Sequence, residues 1–186
     1  MRSLGPESGT GTRRNPPVER WNPPHCGDID MRIAADGQWY YMGSPIGRMP
    51  LVKLFASVLR KDGDDHVLVT PVEKLGIKVD DAPFQGVEMA VEGEGHARNI
   101  AFRTNVDDIV TVGADHVLRF ELGIDGALKP YLHVRRGLMA RVTRALTYDL
   151  LALGEVRQID GVAIFGIEAG GMFHPAQPAS AIEGLA

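Results

Sequence analysis

Ile29-Asp30-Met31-Arg32-Ile33, running into Asp36-Gly37, is the stretch whose reading decides the fold. The chain says nearly the same thing again at Leu118-Arg119-Phe120-Glu121-Leu122, running into Asp125-Gly126. In each copy apolar and polar residues alternate, as in a strand with one buried and one wet face. Asp-Gly then supplies the turn of a hairpin. Residues 38–42 and 128–134 give the return strands, and a helical pattern follows each. An internal repeat of this size predicts two copies of one structural unit.

Working outward, Pro50 suits the first turn of a helix. Leu51, Leu54, Phe55, Val58 and Leu59 then fall at the i, i+3, i+4, i+7, i+8 positions of an apolar stripe, with Lys53, Ser57 and Arg60 opposite. Residues 67–69 and 76–79 read as short strands. Residues 87–91, 97–104 and 109–112 read as an antiparallel meander. In the second copy Met139, Val142, Leu146, Leu150 and Leu153 predict a helix that stops at Gly154. Residues 162–167 then stand as the counterpart of 67–69.

The expected fold is α+β: two repeated β-hairpin-helix-strand units joined by an antiparallel β-meander, each helix covering one sheet face. The expected division is a flexible N-terminal arm over 1–24, a first α+β repeat unit over 25–86, the β-meander plus second unit over 87–175, and a loose C-terminal tail over 176–186. Trp21, before Asn22-Pro23-Pro24, is placed to dock the end of the arm onto the body.

Composition narrows the function classes. With 186 residues the chain can bury a substantial core. A net charge of -4 argues against broad, charge-driven binding to nucleic acid or an anionic membrane. Cys26 is the single cysteine, so no intramolecular disulfide forms, as suits a reducing compartment. Residues 1–12 lack the apolar core of a signal peptide, and no apolar run is long enough to span a bilayer. The expected location is cytoplasmic.

Several groups of residues point to chemistry. His25, Cys26, Asp28 and Asp30 form the densest set of metal-ligand types, with Asp28 and Asp30 on one side of a strand. They motivate a metal-dependent hydrolase as an alternative, although no standard zinc spacing is present. The second group is basic. His133 and Arg135 share a strand face, and Arg136-Gly137 leads toward the second helix. Arg48 holds a loosely equivalent place before the first helix. Cations near a helix start add to its partial positive charge and favour a bound anion. Structural pairing of these arginines with carboxylates of neighbouring strands is the competing outcome. Thr70, Glu73 and Lys74 sit at the turn after a buried strand, and Arg103 and Asn105 end a meander strand, placed to line a cleft between the units. Asp80-Asp81 and Asp107-Asp108 are candidate carboxylate pairs. Walker, Gly-x-Ser-x-Gly and His-Glu-x-x-His motifs are all absent from the sequence.

Several strings carry a family resemblance: Cys26-Gly27-Asp28-Ile29-Asp30-Met31-Arg32-Ile33, Gly43-Ser44-Pro45-Ile46-Gly47-Arg48, Val69-Thr70-Pro71-Val72-Glu73-Lys74, Asp80-Asp81-Ala82-Pro83-Phe84 and Tyr131-Leu132-His133-Val134-Arg135. Over residues 21–174 the chain resembles the bacterial family called domain of unknown function 1285. The resemblance implies an α+β architecture with repeated motifs and a link to bacterial signal transduction, and it supplies no catalytic residues. The functional expectation is a non-enzymatic ligand-sensing or regulatory module. It would bind a small anionic ligand in a cleft between the repeats, through Arg48, Thr70, Glu73, Lys74, Arg103, Asn105, His133 and Arg135, with no cofactor. A structural adaptor acting through a protein partner or self-association is the third class.

Overall fold

The computed structural model describes residues 14–183. The opening hairpin forms as the alternation requires. β1 (His25–Ile33) pairs antiparallel with β2 (Trp39–Tyr41), Ile33 opposite Trp39. Asp36 accepts the N–H of Gln38 at 3.0 Å. Gly37 adopts φ +86°, and a Cβ there would lie 2.7 Å from the Gln85 side chain, so the turn needs glycine twice over. β3 (Ser44–Pro45) extends the sheet, α1 (Met49–Ser57) crosses over, and β4 (Leu59–Asp62), β5 (Asp65–Val69) and β6 (Lys74–Val79) complete it. The strand order is β3-β2-β1-β6-β5-β4, with β1 and β6 parallel.

The next six strands build a second sheet. They are β7 (Phe84–Glu92), β8 (Asn99–Thr104), β9 (Ile109–Thr111), β10 (Leu118–Leu122), β11 (Leu128–Arg135) and β12 (Leu138–Val142). Their order is β10-β11-β12-β7-β8-β9, with β7 and β12 parallel. In both sheets the first and last strands are the central parallel neighbours, each flanked by the rest of its own antiparallel meander. The molecule is therefore mixed α and β, mostly sheet, with two similar six-stranded sheets. α2 (Arg144–Leu151) leads to a third antiparallel sheet of β13 (Glu155–Ile159), β14 (Val162–Ala169) and β15 (Met172–Pro178), and α3 (Ser180–Glu183) follows.

This order changes how the elements correspond. The sequence pairs the β1–β2 hairpin with β10–β11, whereas the shared strand order matches β1 to β7 and β4 to β10. A turn signal does not identify a strand's place in a sheet: Asp62-Gly63 also sits in the β4–β5 turn. The expected joining meander is the first half of the second sheet. The expected second helix over Met139 and Val142 is strand β12 there, because Leu138, Ala140 and Val142 are buried in strict alternation with Met139 and Arg141. The helix begins only at Arg144. Residues 162–167 lie in the third sheet. In α1 the buried positions are Val52 and Ala56, four apart, and Leu54 is 59% exposed, so the contact stripe is turned from the expected one.

One apolar cluster unites the halves. It holds Met31, Ile33, Trp39, Val52 and Ala56 from the first, and Phe84, Ile100, Phe102, Leu132 and Val142 from the second. Residues 14–24 also pack. Val18 is fully buried against Val67 and Val69, with Trp21 beside them. The Arg60 guanidinium donates to the carbonyls of Val18 (2.8 Å) and Trp21 (2.7 Å). The rest of the expected flexible arm, residues 1–13, and the end of the expected tail, residues 184–186, lie outside the described residues.

Candidate functional site

The residues expected to hold a ligand do not converge. Arg48 is exposed at the N-cap position of α1. Thr70 closes its own turn, its hydroxyl accepting the N–H groups of Val72 and Glu73. Lys74 donates to Asp62 at 2.9 Å. Arg103 grips both oxygens of Glu88 and reaches Asp107 at 2.7 Å. Asn105 accepts the Gln85 N–H at 3.0 Å, and Gln85 donates onward to the Ala35 carbonyl of the first half. His133 has both ring nitrogens occupied in local structure: Nδ1 meets the Asp115 carbonyl at 2.9 Å and Nε2 accepts the Gly137 N–H at 3.0 Å.

Arg135 does face the junction of the halves, but as a structural tie. It donates to Asp108 at 2.6 Å and to the Ala56 carbonyl at 2.9 Å, and its guanidinium lies 4.9 Å from the centre of the Phe84 ring. The cavity of about 440 Å³ beside it, between α1 and the loop after β8, also contains Lys53, which pairs with Asp107. The carboxylates of neighbouring loops thus neutralise Arg135 and Lys53 there. At the strand entrance, His25 Nε2 approaches Asp28 at 3.6 Å, and Cys26 Sγ faces the Pro24 carbonyl. Among the described residues no three His, Cys, Asp or Glu side chains come together as a metal site.

A different cleft between the halves keeps charge in reserve. It has a volume of about 220 Å³ and takes Lys61 and His66 from the β4–β5 hairpin, Asp81 from the connection between the sheets, and Arg119, Glu121 and Tyr131 from β10 and β11. Arg119 and Tyr131 are direct cross-strand partners, so their side chains leave the sheet on one face. Asp81 is engaged twice: Tyr131 donates to one oxygen at 2.7 Å and Arg141 to the other at 2.9 Å. Burial, and then the hydrogen bond to Asp81, push the Tyr131 phenol upward, so it remains protonated. Asp80 turns away to Arg32, so the two neighbouring carboxylates do not converge. Among the described residues Lys61 and Arg119 have no carboxylate within ion-pairing distance, and Glu121 is the one unpaired acid lining the cleft. The arrangement supplies cations, a phenol and a rim carboxylate, which suits holding an anion with hydroxyl or amine donors.

His66 adds pH dependence. Burial, reinforced by Lys61, lowers its pKa below the ordinary value of 6.5, and burial does the same to His174. Both imidazoles are neutral in the folded protein at pH 7. The unfolded chain binds the protons first, so stability declines as pH falls below about 6.5 toward the lowered values. Urea unfolding at pH 7.5 and pH 5.5 should show a lower midpoint in acid, with part of that loss removed in His66→Gln.

Lys61, His66, Arg119 and Tyr131 were not singled out as ligand residues by sequence reasoning. One signal was present. Leu59-Arg60 and Leu118-Arg119 open equivalent strands, Leu59 pairing with Leu68 and Leu118 with Leu132.

Comparison with known proteins gives a consistent picture. A family model described as the N-terminal domain of domain of unknown function DUF1285 matches residues 16–82. Its C-terminal counterpart, described as protein of unknown function DUF1285, matches residues 83–176. The boundary falls in the connection between β6 and β7. A crystal structure of a DUF1285 family protein from Silicibacter pomeroyi DSS-3 is 43% identical, covers 92% of each chain and superposes with a TM-score of 0.86. A DUF1285 family protein from Shewanella baltica OS155 is 29% identical over 67% of this chain and 91% of its own, with a TM-score of 0.53. No curated protein matches the chain.

Proposed function

Since the chain belongs to the DUF1285 family, whose description assigns no activity, we propose from the cleft itself that it is a non-enzymatic, cytoplasmic ligand-sensing module of bacterial signal transduction. The ligand is a small anion held between the two halves. The observation that carries this reading is the contrast between two arginines in equivalent strand positions. Arg60 is fully engaged, with Asp62 and two carbonyls of the arm, whereas Arg119 faces the cleft beside Lys61 without a carboxylate partner. We read the two sheets as copies of one six-stranded unit that diverged at this position, one arginine becoming structural and the other available. A cleft with walls from both halves gives an anion the means to bias their relative packing, which is what a sensor requires.

The test is thermal-shift screening of the full chain against inorganic phosphate, nucleotides and small hydroxy-dicarboxylates, repeated on Lys61→Ala and Arg119→Ala. The wild type should be stabilised by at least one of these classes, and each variant should bind that compound about tenfold more weakly. The unliganded variants should melt with the wild type, because neither side chain has a structural partner. Stabilisation by none of the classes, or equal stabilisation of wild type and both variants, sinks the reading.

A further inference from the structure

The second half contains a concavity that the cleft does not use. It is a groove of about 380 Å³ between the β10–β11 turn, α2 and the third sheet. Its lining is mostly apolar, with Leu128, Pro130, Val142, Leu151, Phe165 and Ile182. The volume lies in the range of small-molecule sites. At its edge stand Lys129 and Arg144, neither with a carboxylate within ion-pairing distance among the described residues. Arg144 contacts only the Tyr148 hydroxyl, at 3.4 Å. Arg141 is already held by Asp81, and Asp125, which accepts the Ala127 N–H within the turn, also lines the groove and acts on Arg144 through its charge, offsetting one of the two free cations. The first turn of the eight-residue α2 starts at this edge, and the Thr143 side chain does not cap it. Its N–H groups and the positive charge left over after Asp125 favour a further negative charge at one end of an apolar trough.

We propose that this groove binds an amphipathic monocarboxylate of the medium-chain fatty-acid type. The hydrocarbon lies along Leu128, Val142, Leu151 and Phe165, and the carboxylate sits at the start of α2 between Lys129 and Arg144. Charge complementarity selects this occupant, since an apolar lining alone would accept an alcohol equally well. The site is separate from the cleft of Lys61 and Arg119, and the two stand or fall independently.

The experiment is isothermal titration calorimetry of the full chain with hexanoate, octanoate and decanoate below their micelle concentrations, and with decanol. Saturable one-to-one binding is expected, tightening about fourfold per added methylene. The Lys129→Ala/Arg144→Ala double variant should bind decanoate at least tenfold more weakly while its affinity for decanol is unchanged. Leu151→Asp should weaken both, and Arg119→Ala should weaken neither. Circular dichroism confirms that the variants fold. Absence of decanoate binding overturns the proposal, as does decanoate binding that the double variant and Leu151→Asp leave intact. Decanol binding as tight as decanoate in the wild type overturns it too. Decanoate binding that appears only after removal of residues 184–186 would identify the chain's own end as the occupant and would equally overturn it.

Discussion

Phe84→Ala is expected to lower the unfolding free energy by about 4 kcal/mol, as complete truncation of a buried aromatic side chain does. Phe84 is fully buried and opens β7, in register with Ala140 of the parallel strand β12. Its ring lies beneath the Arg135 guanidinium, which also ties Asp108 to the α1 carbonyl of Ala56. Removing the ring leaves a cavity in the cluster shared by both halves. The loss should therefore reach the first half as well as the second. Urea unfolding followed by tryptophan fluorescence, with Trp21 and Trp39 both in the first half, should coincide with unfolding followed by circular dichroism. Both curves should shift together to a lower midpoint in Phe84→Ala. A fluorescence transition left at the wild-type midpoint would mean that the halves unfold separately.

Arg60→Met is expected to cost about 2 kcal/mol, within the range for losing charge-assisted hydrogen bonds to a half-buried carboxylate. Arg60 is the hub of the first half. It holds both oxygens of Asp62, at 2.6 and 2.8 Å, and both arm carbonyls. The methionine keeps the apolar stem but leaves two carbonyls without a donor. Lys74 remains on Asp62, which keeps the cost from rising further. The Asp62 carboxyl lies at about 2, lowered first by the hydrogen bond from Arg60 and then by Lys74. Its folded value is below the unfolded one, so its contribution is full above about pH 4 and is lost as pH falls toward 2. In Arg60→Met most of that acid sensitivity should be gone, and limited proteolysis should cut within residues 14–24 first. Arg119→Met, at the equivalent strand position, should change stability by no more than about 0.5 kcal/mol, as for a surface substitution. Stability measured on this pair of variants separates the structural arginine from the available one.

The hairpins were legible in the sequence because their information is local: alternation over five residues and an Asp-Gly turn. The start of α1 was legible from Pro50 for the same reason. The second helix was not, because Met139 and Val142 satisfy a helical spacing by chance while Leu138, Ala140 and Val142 satisfy a strand spacing by burial. The shared strand order of the two sheets was hidden because it is decided by long-range pairing. The parallel neighbours β1 and β6, or β7 and β12, come from opposite ends of each half. The cleft escaped for the same reason, since Lys61, Asp81 and Arg119 come from three separate segments. Arg135 is separated from His133 by a register shift in β11 and finds different partners. Its neutralisation by Asp108, twenty-seven residues away, had no local signature.

His66 offers the most direct probe of an anion held between the halves, because it lines the cleft beside Lys61. Its imidazole can be titrated by NMR with and without millimolar inorganic phosphate, in the wild type and in Arg119→Ala. Phosphate should raise the His66 pKa in the wild type, since a bound anion favours the protonated ring, and the rise should vanish in Arg119→Ala. Superimposable His66 titration curves with and without phosphate would contradict the account.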